Sequence, residues 1–238
     1  MRIIIHILLS TYPVFLEATL LTLKLTVVSL ILGSGIGLVF AFLSLSRIKA
    51  LNYIATFYIT IIRGTPLIVQ IAILYFGLSS IITFSQFWAG ALALGVHSGA
   101  YIAEIFRGSI QSIDRGQLEA ARSLGMSHPL AMRRIVLPQA FKIAVPTLGN
   151  QFIIGLKDSS LVAYVGMQDL WGSALSEAAS NFEQMNTYIV VGLYYLALVL
   201  IITYGVNKLE GNMDVNGGKK RKRKIKTNKY NESFGIKR

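Results

Sequence analysis

The chain has 238 residues, 53% of them hydrophobic and only 14% charged, with a mean hydropathy of +0.57. That is too apolar for an ordinary water-soluble domain and places the chain in a membrane. The absence of cysteine excludes disulfides, thiolate metal ligands and a cysteine nucleophile, and the net charge of +12 is concentrated in residues 208–238, which hold 11 Lys/Arg against 3 Asp/Glu.

The long apolar runs are continuous rather than alternating, so the spans are helices and a membrane barrel is excluded. Residues 1–17 read as an external N-terminal segment, and they carry no small-residue cleavage site that would mark a removable signal. The first span covers about residues 18–46 and is interrupted only by Lys24, which snorkels to the surface. Its Gly33, Gly35 and Gly37 have no preceding strand and no polar turn, so they indicate close helix packing rather than a phosphate loop. A second span, about 53–78, is interrupted by Arg63-Gly64-Thr65-Pro66. Proline removes a backbone donor and disfavours helix at Thr65, which predicts a kink or break there. Further spans cover about 87–105, 135–156 and 188–206, making five in all.

Short loops orient the chain, because Lys and Arg are retained on the cytoplasmic side. Arg47 and Lys49 follow the first span, and Arg107, Arg115, Arg122, Arg133 and Arg134 lie between the third and fourth. Segments 79–86 and 159–187 have no Lys or Arg, and the second carries Asp169, Glu177 and Glu183. The expected topology therefore has the N-terminus outside and the C-terminus inside. Trp88 and Trp171 read as interface anchors, and His6, His97 and His128 are too far apart in sequence for a metal site.

The cytoplasmic segment between spans three and four is rich in charge and small residues. Leu118, Ala121 and Leu124 share one helical stripe, with Glu119 and Arg122 on another face. Gly125 supplies a left-handed stop, and Ser127 with Pro129 starts a new helix. Glu119-Ala120-Ala121, then Gly125, Ile135 and Leu137-Pro138 stand at the spacing of the cytoplasmic EAA motif, which identifies a resemblance to permeases of bacterial binding-protein-dependent ABC importers. Arg63-Gly64-Thr65-Pro66-Leu67 with Gln70, the run from Gly99 to Glu104, Arg107-Gly108, and the run from Lys157 to Leu161 resemble the branch that serves polar amino acids. The similarity covers roughly residues 14–210.

The resemblance implies an all-α integral membrane protein with the type I ABC importer permease fold: five transmembrane helices plus a cytoplasmic coupling helix. Its transmembrane domain would span 18–210, with the coupling loop at 106–138 and a basic, disordered tail at 211–238. Glu119, Ala120, Ala121, Arg122, Leu124 and Gly125 would dock on a separate ATPase subunit, so the chain itself is not an enzyme and needs no cofactor. Implied partners are two ATPase subunits, a second permease copy, with a homodimer preferred to a heterodimer, and an extracellular solute-binding protein. The tail suits anionic lipid better than nucleic acid.

Ionisable groups inside a span face a partner or an aqueous cavity. Glu104 and Asp158 are candidate contacts for a substrate ammonium, against the alternative that Glu104 pairs with Arg107 and Asp158 with Lys157. Gly64, Thr65, Leu67 and Gln70 would line the path at the broken helix. The competing class is an ATPase-independent secondary transporter or channel; an enzyme is disfavoured because no nucleophile-base pair or paired carboxylates appear.

Overall fold

A computed structural model describes residues 2–212 of the chain. The basic run at 219–224, and nearly all of the tail expected to lie disordered, falls outside the described residues. Every regular element among those described is helical. They are α1 (Arg2–Ser44), α2 (Lys49–Gly64), α3 (Leu67–Ala72), α4 (Gln86–Gln111), α5 (Arg115–Ser123), α6 (His128–Ala131), α7 (Leu137–Asp158), α8 (Leu170–Asn181) and α9 (Gln184–Asn212). A π turn, Ile73–Gly77, extends α3, a second, Met132–Val136, joins α6 to α7, and a 3-10 stretch, Ser159–Val165, follows α7.

Three helices, α1, α4 and α9, are long and apolar enough to cross a bilayer, and the α2–α3 pair makes a fourth if its bent halves count as one span. α7 has the length at 22 residues, but Lys142, Lys157 and Asp158 lower its apolarity. Apolar side chains project from the outer faces of these helices, among them Ile31, Tyr53, Phe57, Leu200 and Ile201. A surface of that kind is stable against hydrocarbon, not water.

α1 starts at Arg2 and runs 43 residues without a break, about 64 Å at ~1.5 Å per residue. Residues 2–17 thus continue the helix of the first span. Pro13 is accommodated within the helix, and just before it the hydroxyls of Ser10 and Thr11 donate to the Ile7 carbonyl at 3.1 and 2.7 Å. Ile7, Phe15 and Ala18 then pack against Leu170 and Ala174 of α8 and Val190 and Val191 of α9. α8 lies in the stretch expected to be a plain external segment. Trp171 contributes to this cluster, with its ring 5.2 Å from that of Tyr188, while Trp88 is half exposed.

The most extensive helix contact is between α1 and α4. A methyl group at Gly33 would come within 2.9 Å of the Gly95 carbonyl oxygen, and one at Gly37 within 2.9 Å of the Gly99 carbonyl and 2.6 Å of the Ile102 side chain. Both helices therefore place two glycines four residues apart on the shared face, the spacing that lets backbones approach. Gly35 faces open space and plays no part. Buried Ser29 and Ser98 lie along the same seam.

The predicted break in the second span is a bend of 102° between α2 and α3. Thr65 and Pro66 are both extended, at ψ 142 and 137. Pro138 accounts for the second π turn. It has no N–H to donate, its ring displaces the carbonyl one turn back, and the widened turn falls just ahead of it. The Gln139 side chain donates to the Ile135 carbonyl at 2.8 Å and satisfies an acceptor in that turn.

Asp169, in the connection ahead of α8, caps that helix, accepting from the Gly172 N–H at 3.0 Å, while its second carboxylate oxygen is buried without a partner among the described residues. Burial pushes its pKa up from the ordinary 3.8 to about 6.

Two expectations follow. Gly37→Ala is expected to destabilise by about 1–3 kcal/mol through overpacking, and Gly35→Ala to be neutral or mildly stabilising, as read by thermal unfolding in detergent. The folded state holds the Asp169 proton more tightly than the unfolded chain does. The stability this confers is complete below the ordinary carboxylate pKa and is lost as pH rises through about 6. Asp169→Asn keeps the cap acceptor and removes the charge, so its stability should exceed wild type at neutral pH by up to about 3 kcal/mol and match it near pH ~4.

Candidate functional site

The segment at the end of α4 is built to display a short helix. Asp114 caps α5, its carboxylate accepting from the Gly116 N–H at 2.7 Å. At the other end Gly125 adopts φ +84. The Met126 N–H reaches the Ala121 carbonyl and the Gly125 N–H reaches that of Arg122, at 3.1 and 3.0 Å. This paired termination needs a left-handed residue at that position, which is why glycine stands there. Ser127 and Pro129 then open α6, as the sequence indicated.

Of α5 only Ala121 is buried, and Leu118 is half-buried. Glu119, Ala120 and Arg122 are exposed, and Leu124 is 84% exposed. Leu124 therefore leaves the packed stripe expected for it, because the chain has already begun its turn into Gly125. Neither Glu119 nor Arg122 forms an ion pair among the described residues. Behind α5 lies a cavity of about 830 Å³ whose walls include Leu45, Arg47, Leu118, Arg122 and Met132. The helix thus rests lightly on the body and presents a small, charged and partly apolar face outward.

The second group of candidate residues surrounds the bend. Gln70 reaches back across it, donating to the Ile62 carbonyl at 2.9 Å and to the Thr65 hydroxyl at 2.8 Å, while that hydroxyl donates to the Ile61 carbonyl at 2.9 Å. These bonds satisfy the carbonyls that the broken helix leaves open. The Gln70 oxygen meets His97 Nδ1 of α4 at 3.2 Å. Leu67 is buried against Leu25, Ile71 and Leu94 and so forms core, whereas Gly64 and Thr65 are exposed.

Glu104 is engaged by two arginines. Arg107 holds it from one turn on, Nε to Oε1 at 2.7 Å and Nη2 to Oε2 at 2.8 Å, the pairing left open at the sequence level. Arg63 approaches Oε2 from across the bend at 3.4 Å and lies over the Tyr101 ring, 5.2 Å from its centre. Asp158 is half-buried at the end of α7 and forms no ion pair among the described residues, with Lys157 exposed beside it. The fold therefore joins Glu104 to the bend and leaves Asp158 apart. Arg63 was missed as a site residue because it reads as part of a turn. The available signal was its position at the end of a stripe formed by Asn52, Thr56 and Thr60, spaced as one helical face.

Comparison with known proteins identifies the family. The family described as "Binding-protein-dependent transport system inner membrane component" matches residues 33–214. The arginine transport system permease protein of Bacillus subtilis (strain 168) is 39% identical over 206 residues, covering 86% of this chain and 94% of that protein. The putative glutamine transport system permease protein of Rickettsia conorii is 36% identical over 214 residues, covering 88% and 98%. A crystal structure of an amino acid ABC transporter with histidines has a chain that superposes with a TM-score of 0.82 at 39% identity, covering 86% of this chain and 96% of that one. The inward-facing MetNI methionine ABC transporter, at 23% identity and a TM-score of 0.74, shares the fold. The chain belongs to the family of inner-membrane permease components of binding-protein-dependent transport systems.

Proposed function

We propose that the chain is the membrane-spanning subunit of an importer that carries polar L-amino acids, of the kind named for its relatives, with ATP hydrolysed on two separate ATPase subunits. Five spans, with the bent α2–α3 pair counted as one and α7 as another, form half of the pathway. A second copy of the chain supplies the other half, and an extracellular binding protein delivers the solute. The N-terminus lies outside and the described C-terminal end inside, in keeping with the arginines of the α4–α7 connection.

The observation that carries this reading is α5, with its capped start, its glycine-terminated end and an outer face left open by the other described residues. Ala120 permits close approach, Glu119 can accept a charge-assisted bond from a basic group of the ATPase, and Leu124 offers an apolar contact. Closure of the ATPases would then be transmitted through α5 to the helices on either side. Among the substrate candidates, Asp158 has no ion-pair partner among the described residues, which leaves its carboxylate for an ammonium or guanidinium group. Gly64 and Thr65 border the bend, and Gln70 holds its shape.

Reconstitution with the ATPase subunits tests the assignment. Glu119→Lys and Gly125→Asp are expected to lower ATP-driven amino-acid uptake at least about ten-fold, as loss of a buried contact at a docking surface would. Their insertion in the membrane should be normal. Full coupled uptake by both variants, or equal uptake without ATPase subunits, would exclude the docking role and favour a secondary transporter.

A further inference from the structure

A polar cavity of about 410 Å³ lies between α2 and α4. One wall is the face of α2 carrying Asn52, Thr56, Thr60 and Arg63, and the other is the face of α4 carrying Glu104, Arg107 and Gln111. Asn52 bonds the Ser44 carbonyl at the end of α1, beside the Leu45 and Arg47 that border the cavity behind α5. The cavity is thus a groove that starts at the bend and descends toward the coupling-helix side. Polar residues in this register along a membrane helix line water, not lipid.

Charge within the groove is unbalanced. Arg63, Glu104 and Arg107 are the charged residues of its lining, so two guanidinium groups share one carboxylate. Every nitrogen of Arg107 has a partner, with Nε and Nη2 on Glu104 and Nη1 on Gln111 at 3.0 Å. Arg63 is not. Of its five N–H donors, the bond to Glu104 is a long one at 3.4 Å, and its side chain is 44% exposed. The Tyr101 ring lies beneath it, 5.2 Å from its Cζ, and attracts the cation. Such a fork, set over an aromatic ring and short of acceptors among the described residues, suits a planar two-oxygen anion.

We propose that Arg63 is an oxyanion anchor that holds the α-carboxylate of the transported amino acid as it enters this groove. The proposal rests on the amino-acid import reading. Glu104 then has a different part from the one its isolated charge suggests: with Arg107 it positions Arg63, and the substrate's carboxylate replaces it as the acceptor Arg63 lacks.

The absence of native cysteine allows a direct test. Thr60→Cys, or Thr56→Cys should the first assemble poorly, is placed in the complex with its ATPase subunits in lipid nanodiscs. Its modification by a sulfonate-bearing and by a trimethylammonium-bearing methanethiosulfonate is followed by the mass of this chain. With rates normalised to a free thiol, the anionic reagent should be favoured about five-fold, the effect of one nearby unbalanced charge in a wet groove. Adding Arg63→Gln should abolish that preference and Arg63→Lys should keep it. L-Glutamine or L-arginine should slow the reaction, and their methyl esters or inorganic phosphate should not.

An unreactive cysteine at both positions, a preference that survives Arg63→Gln, or equal protection by ester or phosphate would overturn the proposal. Failure of the import reading is separable from these. Vesicles with the wild-type complex would then show no ATP-driven uptake of any amino acid, whatever the reagents report about the groove.

Discussion

The contact on which the rest of the molecule depends is the crossing of α1 and α4, where Gly33 and Gly37 lie against Gly95 and Gly99 with no room for a methyl group. In hydrocarbon no hydrophobic force draws helices together, so close backbone approach with many short contacts must hold them. Once α4 is fixed against α1, its other faces become reference surfaces. Tyr58 of α2 donates to the Val96 carbonyl at 2.6 Å and stacks on Phe40 of α1 at 3.9 Å, which ties α2 to both partners at once. Further along α1, the Thr22 hydroxyl accepts from the Leu170 N–H at 2.9 Å, so the same helix also positions the start of α8.

The bend between α2 and α3 is tolerable only because its backbone groups are answered within the protein. Irregular backbone exposed to lipid would leave carbonyls unsatisfied at several kcal/mol each. Gln70 and Thr65 supply the donors locally, and His97 fixes Gln70 from α4. Pro66 therefore only determines where the helix breaks. The angle it keeps is set by polar side chains against a helix that is already immobilised.

Much of this was legible in the sequence because the signals were local. Pro66 marked the bend, Gly125 the left-handed stop, Ser127 with Pro129 the next helix start, and the glycines of the first span a close contact. Gly35 shows the limit of that last reading, since spacing along the helix decides which glycines face the partner and Gly35 falls between the two that do. α8 was lost in a segment read as external because it is short and only moderately apolar. Its one local sign was Asp169 ahead of a helix-forming run, a capping signal. The N-terminal segment was separated from the first span because apolar length, not helix continuity, was the criterion. At the site, the Glu104 to Arg107 pair could be anticipated from their three-residue spacing. Arg63 lies 41 positions from Glu104, a separation that no periodicity reports.

The placement of α5 gives these separate features a common mechanical sense. Three residues connect the end of α4 at Gln111 to the start of α5 at Arg115, and four connect the end of α5 at Ser123 to the start of α6 at His128. Such short connections cannot absorb a displacement of α5, so movement imposed on its outer face passes into α4 on one side and α6–α7 on the other. The large cavity behind α5 means that little packing opposes such movement. α4 carries Glu104 and Arg107, which form one wall of the polar groove, whereas Arg63 stands on the opposite wall and its link to Glu104 is the longest of the cluster's hydrogen bonds. A shift of α4 along its axis would lengthen that bond first. The contact that governs Arg63's spare donors is thus the one most exposed to movement of the lever, and coupling-helix displacement and anion affinity in the groove become two readings of one structural change.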